Sequence, residues 1–395
     1  MKLALSDADV AFRNELREFF TNTFPADIRE RTRNEDLNYP EDVVTSMRIL
    51  NEAGLAVPNW PTEWGGKDWS PLQRQIWAEE MRMACVPEPL AFNASMVGPV
   101  IAHFGSQEIK ERFLPATANC DIWWAQGFSE PEAGSDLASL RTTAVRDGDH
   151  YVINGQKTWT TLGQFADWIF VLARTDPDAP KKQAGISFIL AEMNTPGITV
   201  RPIKLIDGSY EVNEVWFEDV RVPVNQLVGE ENAGWSYAKF LLSNERTGIA
   251  RVGTTKVWLT EVKERAAKTP VGSPTEGATL MEDPLFAARV AEVENELLAL
   301  ELTQLRVAGD EADGTPNPAS SILKLRGTQL QQAVTDLLVE VAGPDALPFD
   351  AGDTVDSPGW AQHAAPRYLN FRKTSIYGGS NEVQRTIIAS TILGL

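Results

Sequence analysis

The chain has 395 residues, of which 43% are hydrophobic and 9% aromatic, and its formal net charge is −19. This length and composition predict a globular protein of two or three domains, with a core that needs no disulfides. The negative charge argues against nucleic acid and anionic membranes as partners, because both attract a basic surface. Two cysteines and three isolated histidines argue against a disulfide framework and a multi-histidine metal site.

The amino terminus carries no sign of a targeting segment. It lacks the apolar core of a secretion signal, and no apolar run in the chain is long enough to span a bilayer. Ser6 and Asp9 instead form the pattern of a capping box that opens an amphipathic helix. We therefore expect a cytoplasmic protein.

Three segments differ in their pattern of apolar residues. Residues 1–121 follow a helical period, residues 122–229 consist of short runs rich in β-branched and aromatic residues, and the helical period returns over residues 230–395. The dipeptides Asp147-Gly148 and Asn154-Gly155 predict hairpin turns in the middle segment. The predicted fold is α+β and multidomain: an N-terminal all-α domain, a middle antiparallel β-barrel and a C-terminal α-helical bundle.

Two polar segments stand out in the middle of the chain. GFSEPEAGSD, at residues 127–136, would expose backbone N–H groups and hydroxyls suited to a polar heterocycle or a phosphate ester. KTWTT, at residues 157–161, offers the flat face of Trp159 for stacking and the hydroxyl of Thr161 for fixing an edge. Taken singly, the first also fits a structural turn and the second a strand with a core tryptophan. No Rossmann glycine motif or P-loop sequence occurs.

Both segments belong to a longer ordered series. EPEAGSD, INGQKTWTT, NEVWFEDVRVP, GWSYAKFLLSNERTGIAR and IYGGSNEVQR follow one another along the chain. In this order they resemble the acyl-CoA dehydrogenase family from end to end. The resemblance implies that FAD and an acyl-CoA thioester bind between the middle and last domains. It also implies α,β-desaturation to a trans-2-enoyl-CoA, with the flavin accepting the hydride.

The resemblance implies a set of site residues by position. Phe128 and Ser129 would meet the flavin edge, and Trp159 with Thr161 would meet the isoalloxazine ring. The full cofactor-binding set is Gln126, Phe128, Ser129, Gly134, Ser135, Trp159, Thr160, Thr161, Gly379, Ser380 and Glu382. The substrate-binding set is Ser135, Ser243 and Arg246, with Ser135 at the thioester arm.

The base that removes the α proton departs from the commonest family arrangement. Many members carry a carboxylate where this chain has Gly378, whereas another branch places a glutamate before an arginine on the first C-terminal helix. Glu245-Arg246 matches that second arrangement, so Glu245 is the predicted base. The N–H of Gly378 is implied as a donor to the thioester oxygen.

The residues around Glu245 also favour this assignment. A helix through LLSNERTGIARV would place four apolar side chains on the same face as the carboxylate: Leu241, Leu242, Ile249 and Val252. Burial on that face would raise the pKa of Glu245 and make it a better base near neutrality. The structural alternative is a surface or bundle glutamate paired with an arginine.

Two further segments depart from homomeric family members. KTPVGSPTEGATLMEDPLFAARV lacks the Arg-x-x-Phe-Gly pattern, and in LLVEVAGPDALPFD a glutamate, Glu340, replaces a glutamine while Pro344 interrupts the glycines. Glu340 would repel a pyrophosphate, and Pro344 removes a backbone donor. This pattern resembles the larger subunit of pimeloyl-CoA-type and steroid side-chain heteromeric dehydrogenases.

The resemblance implies a tetramer, a heterotetramer with a related smaller subunit, and an electron-transfer flavoprotein as electron acceptor. A homomer with relaxed adenosine binding, an acyl-CoA oxidase, and a non-catalytic subunit that completes a partner's site are the alternatives.

Overall fold

The computed structural model describes residues 5–33, 40–271, 277–310, 317–347 and 358–395, with the backbone alone at residues 243–249 and 308–310. Among these described residues, six α-helices precede the first strand: α1 (Asp7–Thr23), α2 (Ala26–Arg33), α3 (Pro40–Glu52), α4 (Pro71–Met83), α5 (Gly98–Phe104) and α6 (Gln107–Ala118). The predicted capping box opens α1, with reciprocal hydrogen bonds between Ser6 and Asp9. The all-α character predicted for the first part of the chain is confirmed.

Asn93 joins the helical part to the sheet that follows. Its side chain is fully buried in a π-helical turn, Phe92–Val97, that leads into α5. The amide nitrogen donates to the carbonyl oxygens of Thr117 and Ile122, and the amide oxygen accepts from the N–H of Trp124. Because all three partners lie where α6 gives way to the first strand, Asn93 fixes the angle between the two layers.

Seven strands form one sheet in the middle of the chain: β1 (Trp124–Gly127), β2 (Thr143–Asp147), β3 (His150–Thr161), β4 (Trp168–Arg174), β5 (Ile186–Glu192), β6 (Ile198–Ile203) and β7 (Val212–Pro223). Their order is β1-β4-β2-β3-β7-β6, and β5 pairs with β4. Most pairs are antiparallel as predicted, but β1 and β2 each pair with β4 in parallel. The three-part architecture is confirmed, with a curled sheet that is mixed rather than wholly antiparallel.

One of the two predicted hairpin turns is wrong. Asp147-Gly148 does turn the chain between β2 and β3, but Asn154-Gly155 lies within β3 at a register shift against β7. The Asn154 side chain bonds Asp219 on the facing strand, and a Cβ on Gly155 would lie 2.5 Å from Thr142 Oγ1. Tertiary contacts therefore convert a turn-forming dipeptide into a bulge in a long strand.

The C-terminal region is helical, as predicted. Its helices are α7 (Gly234–Ile249), α8 (Val252–Ala266), α9 (Pro284–Asp310), α10 (Ser320–Ala342), α11 (Gly359–Gln362), α12 (Ala364–Asn370) and α13 (Asn381–Ile387). Helix α10 packs against α7, α8, α9, α12 and α13, so it forms the centre of the bundle.

The single helix predicted through LLSNERTGIARV is wrong at its end. Helix α7 stops at Ile249, and Arg251 adopts a left-handed backbone conformation with φ of 46° before Val252 opens α8. Leu241 is buried in the core shared with the sheet, whereas Ala250 and Val252 are buried in the core of the C-terminal bundle. Helix α7 therefore runs from one hydrophobic core to the other.

Within the described ranges, no helix combines the length and apolarity that crossing a bilayer requires. The same ranges contain no cluster of three or more histidine, cysteine or acidic side chains that could hold a metal ion.

Candidate functional site

The KTWTT segment ends β3 with an irregular backbone. Pairing with β7 shifts register between Lys157 and Thr160, and Trp159 has a positive φ of 60°. Its indole is 57% exposed although it sits within a strand, while Thr160 is buried and Thr161 half-buried. A left-handed non-glycine residue costs about 1–2 kcal/mol, so the fold retains strain in order to present this ring outward.

The loop after β1 is fixed to β3 by a buried ion pair. Lys157, with no exposed surface, donates from Nζ to Glu130 Oε1 at 2.8 Å and to the carbonyl oxygen of Phe128 at 3.1 Å. The Glu130 carboxylate also accepts from the backbone N–H groups of Arg141 and Thr142, at 2.6 and 2.9 Å. The ion pair thereby holds both ends of the loop at residues 128–142, the first through Lys157 and the second through Glu130.

Both members of this pair have shifted pKa values. Burial lowers the pKa of Lys157 to about 8, although the neighbouring Glu130 opposes the change. Burial alone would raise the pKa of Glu130, but the charge of Lys157 and the hydrogen bonds outweigh it and hold that pKa below its usual value. The pair is therefore ionised at neutral pH.

The predicted flavin-facing residues of the loop lie beside β3. The N–H of Thr158 donates to the carbonyl oxygen of Ser129 at 2.9 Å, which brings the two polar segments into contact. The Phe128 ring is buried edge-on against Phe170 and Phe188, so only its backbone faces the segment. Gln126 and Ser129 are half-buried, while Gly134 and Ser135 are exposed further along the loop.

The paired glycines form a loop that opens α13. Gly378 and Gly379 have φ of 64° and 83°, and both carbonyl oxygens accept from Gln384 Nε2, at 3.5 and 3.3 Å. Ser380 is the N-cap and accepts from the N–H of Val383. A side chain at either glycine would require a strained backbone, so this loop is built around residues without a Cβ. Glu382, in the first turn of α13, is exposed.

A buried polar group supports this loop from α10. Asn381 Oδ1 accepts from Lys324 Nζ and from Thr328 Oγ1, each at 3.2 Å, and all three side chains are buried. One turn along the same helix, a Cβ on Gly327 would lie 2.6 Å from the Cα of Ala250, just after α7. The same stretch of α10 thus contacts both the start of α13 and the end of α7.

Three predicted site residues lie outside the described side chains. Ser243, Glu245 and Arg246 belong to the backbone of α7, in the part that leads to Ala250. Their predicted roles stay predictions.

Glu211 connects the two halves of the site. Its carbonyl oxygen accepts from the N–H of Leu162 at the end of β3, while its carboxylate accepts from Asn370 and Lys373, shortly before the glycine loop. Neither this connection nor the Lys157–Glu130 pair was predicted from the sequence. A lysine within a strand pattern was the available sequence signal for the buried pair. No feature of the sequence around Glu211 indicated its contacts.

Glu340, predicted to repel a pyrophosphate, has a partner in the bundle. Its carboxylate pairs with Arg289 Nη1, and Arg289 also reaches Asp336 at 3.5 Å. Pro344 lies in a short 3₁₀ turn, Gly343–Ala346, after α10. The charge of Glu340 is therefore partly balanced from α9.

Comparison with known proteins gives consistent matches. Three family models cover the chain: the N-terminal, middle and C-terminal domains of acyl-CoA dehydrogenase, at residues 6–121, 125–220 and 232–393. Acyl-CoA dehydrogenase FadE29 of Mycobacterium tuberculosis is 36% identical over 95% of this chain and 94% of its own length.

Two solved structures match over the whole chain and 99% of their own. One is described as the Tcur3481-Tcur3483 steroid ACAD, with a TM-score of 0.87 and 30% identity. The other is the ChsE4-ChsE5 complex from Mycobacterium tuberculosis, with a TM-score of 0.85 and 33% identity.

The order of helical region, sheet and helical region agrees with the three family models, which together define the enzyme class. The chain belongs to the acyl-CoA dehydrogenase family. The predictions of the family and of an oxidoreductase of this class are confirmed.

Proposed function

We propose that the chain is an FAD-dependent dehydrogenase that converts an acyl-CoA thioester to its trans-2-enoyl-CoA, with Glu245 as the α-proton base. The observation that carries the flavin assignment is Trp159, whose ring is exposed on a strained backbone beside the half-buried hydroxyl of Thr161. A flat aromatic face with a hydroxyl at its edge fits a planar heterocycle. The residues present therefore suit a flavin.

The chain's own groups would hold the cofactor from three sides. Trp159 and Thr161 would contact the ring, and the backbone of Phe128 and Ser129, fixed through Lys157, would line its edge. Gln126, Gly134 and Ser135 would contribute from β1 and the loop after it. From α13, Gly379, Ser380 and Glu382 would complete the set. When bound, FAD would accept the hydride from the substrate's β carbon.

Glu245 would remove the α proton as that hydride leaves. Gly378 has no side chain to do so, and α7 carries the glutamate between Leu241 in one core and Ala250 in the other. The apolar pattern of the sequence around Glu245 predicts burial, which would make its carboxylate a stronger base than one in water. The Gly378 N–H would donate to the thioester oxygen as negative charge develops there. Ser135, Ser243 and Arg246 would hold the acyl-CoA.

The test of the base is Glu245→Gln, with Glu264→Gln on the exposed side of α8 as the matched control. The Glu245 variant should bind flavin normally but lose anaerobic flavin bleaching by acyl-CoA by about 10²–10⁴-fold. Near-normal bleaching would contradict the assignment of the base. Failure of the wild type to bind flavin even with its partner subunit present would contradict the cofactor assignment instead.

We further propose a heteromeric assembly. The supporting observations are Glu340 and Pro344 at positions where homomeric relatives lend cofactor contacts, and the similarity to structures of paired components, Tcur3481-Tcur3483 and ChsE4-ChsE5. Flavin per chain should rise when the chain is purified with a related smaller subunit. Full flavin occupancy in the chain alone would contradict a shared site.

The acyl group is proposed to be bulky and alicyclic, since one similar structure is described as a steroid ACAD. A panel of linear, branched and steroid side-chain acyl-CoAs, assayed by flavin bleaching, tests this proposal. An electron-transfer flavoprotein is the proposed electron acceptor. Reoxidation of the reduced enzyme should then be slow in air and fast with that protein, whereas fast reoxidation in air would identify an oxidase.

A further inference from the structure

The segment before β7 is attached to both halves of the proposed site. On one side, the N–H of Leu162 donates to the carbonyl oxygen of Glu211 at 2.7 Å, and Gln164 Nε2 donates to the carbonyl oxygen of Tyr210 at 2.8 Å. Leu162 directly follows the TrpThrThr sequence, and its φ of 53° places it in a constrained turn. The end of β3 is therefore tied to residues 210–211.

On the other side, Glu211 and its neighbour Asp207 bond the segment that leads to the glycine loop. Glu211 Oε2 accepts from Asn370 Nδ2 at 3.0 Å and from Lys373 Nζ. Asn370 Nδ2 also donates to Asp207 Oδ2 at 2.6 Å. The side chains of Glu211 and Lys373 are 17% and 28% exposed, so solvent screens their pairing only in part.

Lys373 passes this connection on to the glycine loop. Its carbonyl oxygen accepts from the N–H groups of Ile376 and Tyr377, at 2.9 and 3.2 Å, immediately before Gly378. The segment is also fixed from α10, where Gln332 Nε2 donates to the carbonyl oxygens of Phe371 and Arg372. A displacement of Glu211 relative to this segment would therefore change the distance between β3 and the glycine loop.

We propose that Glu211 is a positioning residue that sets the spacing between the flavin-facing end of β3 and the N–H of Gly378. The residue would touch neither flavin nor substrate, because it acts through Leu162 on one side and Lys373 on the other. Its effect on catalysis rests on the function proposed above. The physical connection does not, since its hydrogen bonds join described residues of the chain itself.

The connection predicts a specific kinetic pattern. Loss of alignment across the site should lower the rate of the chemical step more than it weakens substrate binding, because an error of about 1 Å can cost about a hundredfold in rate. Glu211→Gln keeps the size of the side chain and removes its charge. In Glu211→Gln, kcat should fall by about tenfold to a hundredfold while KM changes little.

A second readout needs no cofactor or substrate. Hydrogen exchange followed by mass spectrometry on the flavin-free chain should show faster exchange in peptides at residues 204–212 and at residues 371–380 together. Asn370→Leu, which removes a donor from the opposite segment, should reproduce the same paired change. Glu214→Gln is the matched control, because that carboxylate on β7 pairs with Arg201 and Gln156 inside the sheet.

The outcomes separate the alternatives. Faster hydrogen exchange at residues 204–212 and 371–380 together, with a fall in kcat and an unchanged KM, supports the positioning role. Faster exchange at residues 204–212 alone, or unchanged kcat in both variants, would overturn it. Desaturation of acyl-CoA by the wild type, together with its loss in Glu245→Gln, would leave the proposed function standing in either case.

Discussion

Lys157 Nζ lies 2.8 Å from Glu130 Oε1, and neither side chain is exposed by more than 7%. This one contact fastens the polar loop after β1 to the strand that carries Trp159. A buried carboxylate that accepts from a lysine and two backbone N–H groups has its hydrogen-bonding capacity largely filled, so the loop is rigid where the flavin is proposed to lie.

Lys157→Met should destabilise the fold strongly. The substitution preserves much of the side-chain volume but leaves Glu130 buried without a cation, which costs about 3–5 kcal/mol of unfolding free energy. The control is Arg221→Met, which breaks an exposed pair with Asp147 and should cost no more than about 1 kcal/mol. Urea unfolding at pH 7 measures both. Equal losses in the two variants would show that the buried pair stabilises the fold no more than the exposed pair does.

Glu130 should also make the unfolding free energy depend on pH in the acid range. Its folded-state pKa is held below the ordinary 4.5, so near and below that pH the unfolded chain binds more protons than the folded one. The stability that Glu130 contributes is present above pH 4.5 and is lost as the pH falls through its folded-state pKa. The difference in unfolding free energy between wild type and Glu130→Gln should therefore shrink from pH 7 to pH 3. If the difference in unfolding free energy grew toward acid pH, the pKa of Glu130 would be raised by folding and not lowered.

Gly379→Ala should cost more than the backbone conformation alone explains. A Cβ there would lie 2.5 Å from Gln384 Nε2 and would displace that buried amide from the carbonyl oxygens of Gly378 and Gly379. Gly148→Ala is the control, since its φ is also positive and nothing lies within 4 Å of the added Cβ. The first variant should lose about 1–3 kcal/mol more than the second. Equal unfolding midpoints would mean that Gln384 moves without loss.

Trp159→Gly should separate stability from cofactor binding. Glycine accepts the positive φ without strain, and the indole is mostly exposed, so the unfolding free energy should stay within about 1 kcal/mol of wild type. Flavin affinity should fall by about tenfold or more, because the stacking surface is lost. Titration with FAD, followed by fluorescence, measures the second effect. A large loss of stability with unchanged affinity would assign Trp159 to the core instead.

The fold was largely predictable because its local patterns agree with its tertiary structure. The strand pattern of residues 143–161 and the helical period after residue 230 both persist in the structure. The errors arise where distant contacts decide the local conformation. Asn154-Gly155 forms a bulge within β3 because Asn154 bonds Asp219 on the facing strand and Gly155 lies too close to Thr142 for a side chain. Helix α7 ends where Arg251 adopts a positive φ that no local residue pattern predicts.

The candidate site was predictable only as a set of motifs. The sequence pointed to Trp159 and the paired glycines as candidate site residues, but it did not reveal the groups that hold them. Lys157 and Glu130 are 27 residues apart, and Glu211 and Lys373 are 162 apart. Such pairs have no spacing rule, because the first depends on how the loop after β1 folds against β3 and the second on how the sheet and the bundle meet.

The position of α10 gives the site an internal reference. Within one stretch, Gly327 meets Ala250 at the end of α7, while Lys324 and Thr328 bond Asn381 at the start of α13. A rigid shift of α10 would carry both neighbours with it and leave their separation unchanged. Core substitutions that move this helix should therefore leave the distance between the end of α7 and the glycine loop unchanged. They should instead change the distance from both to β3.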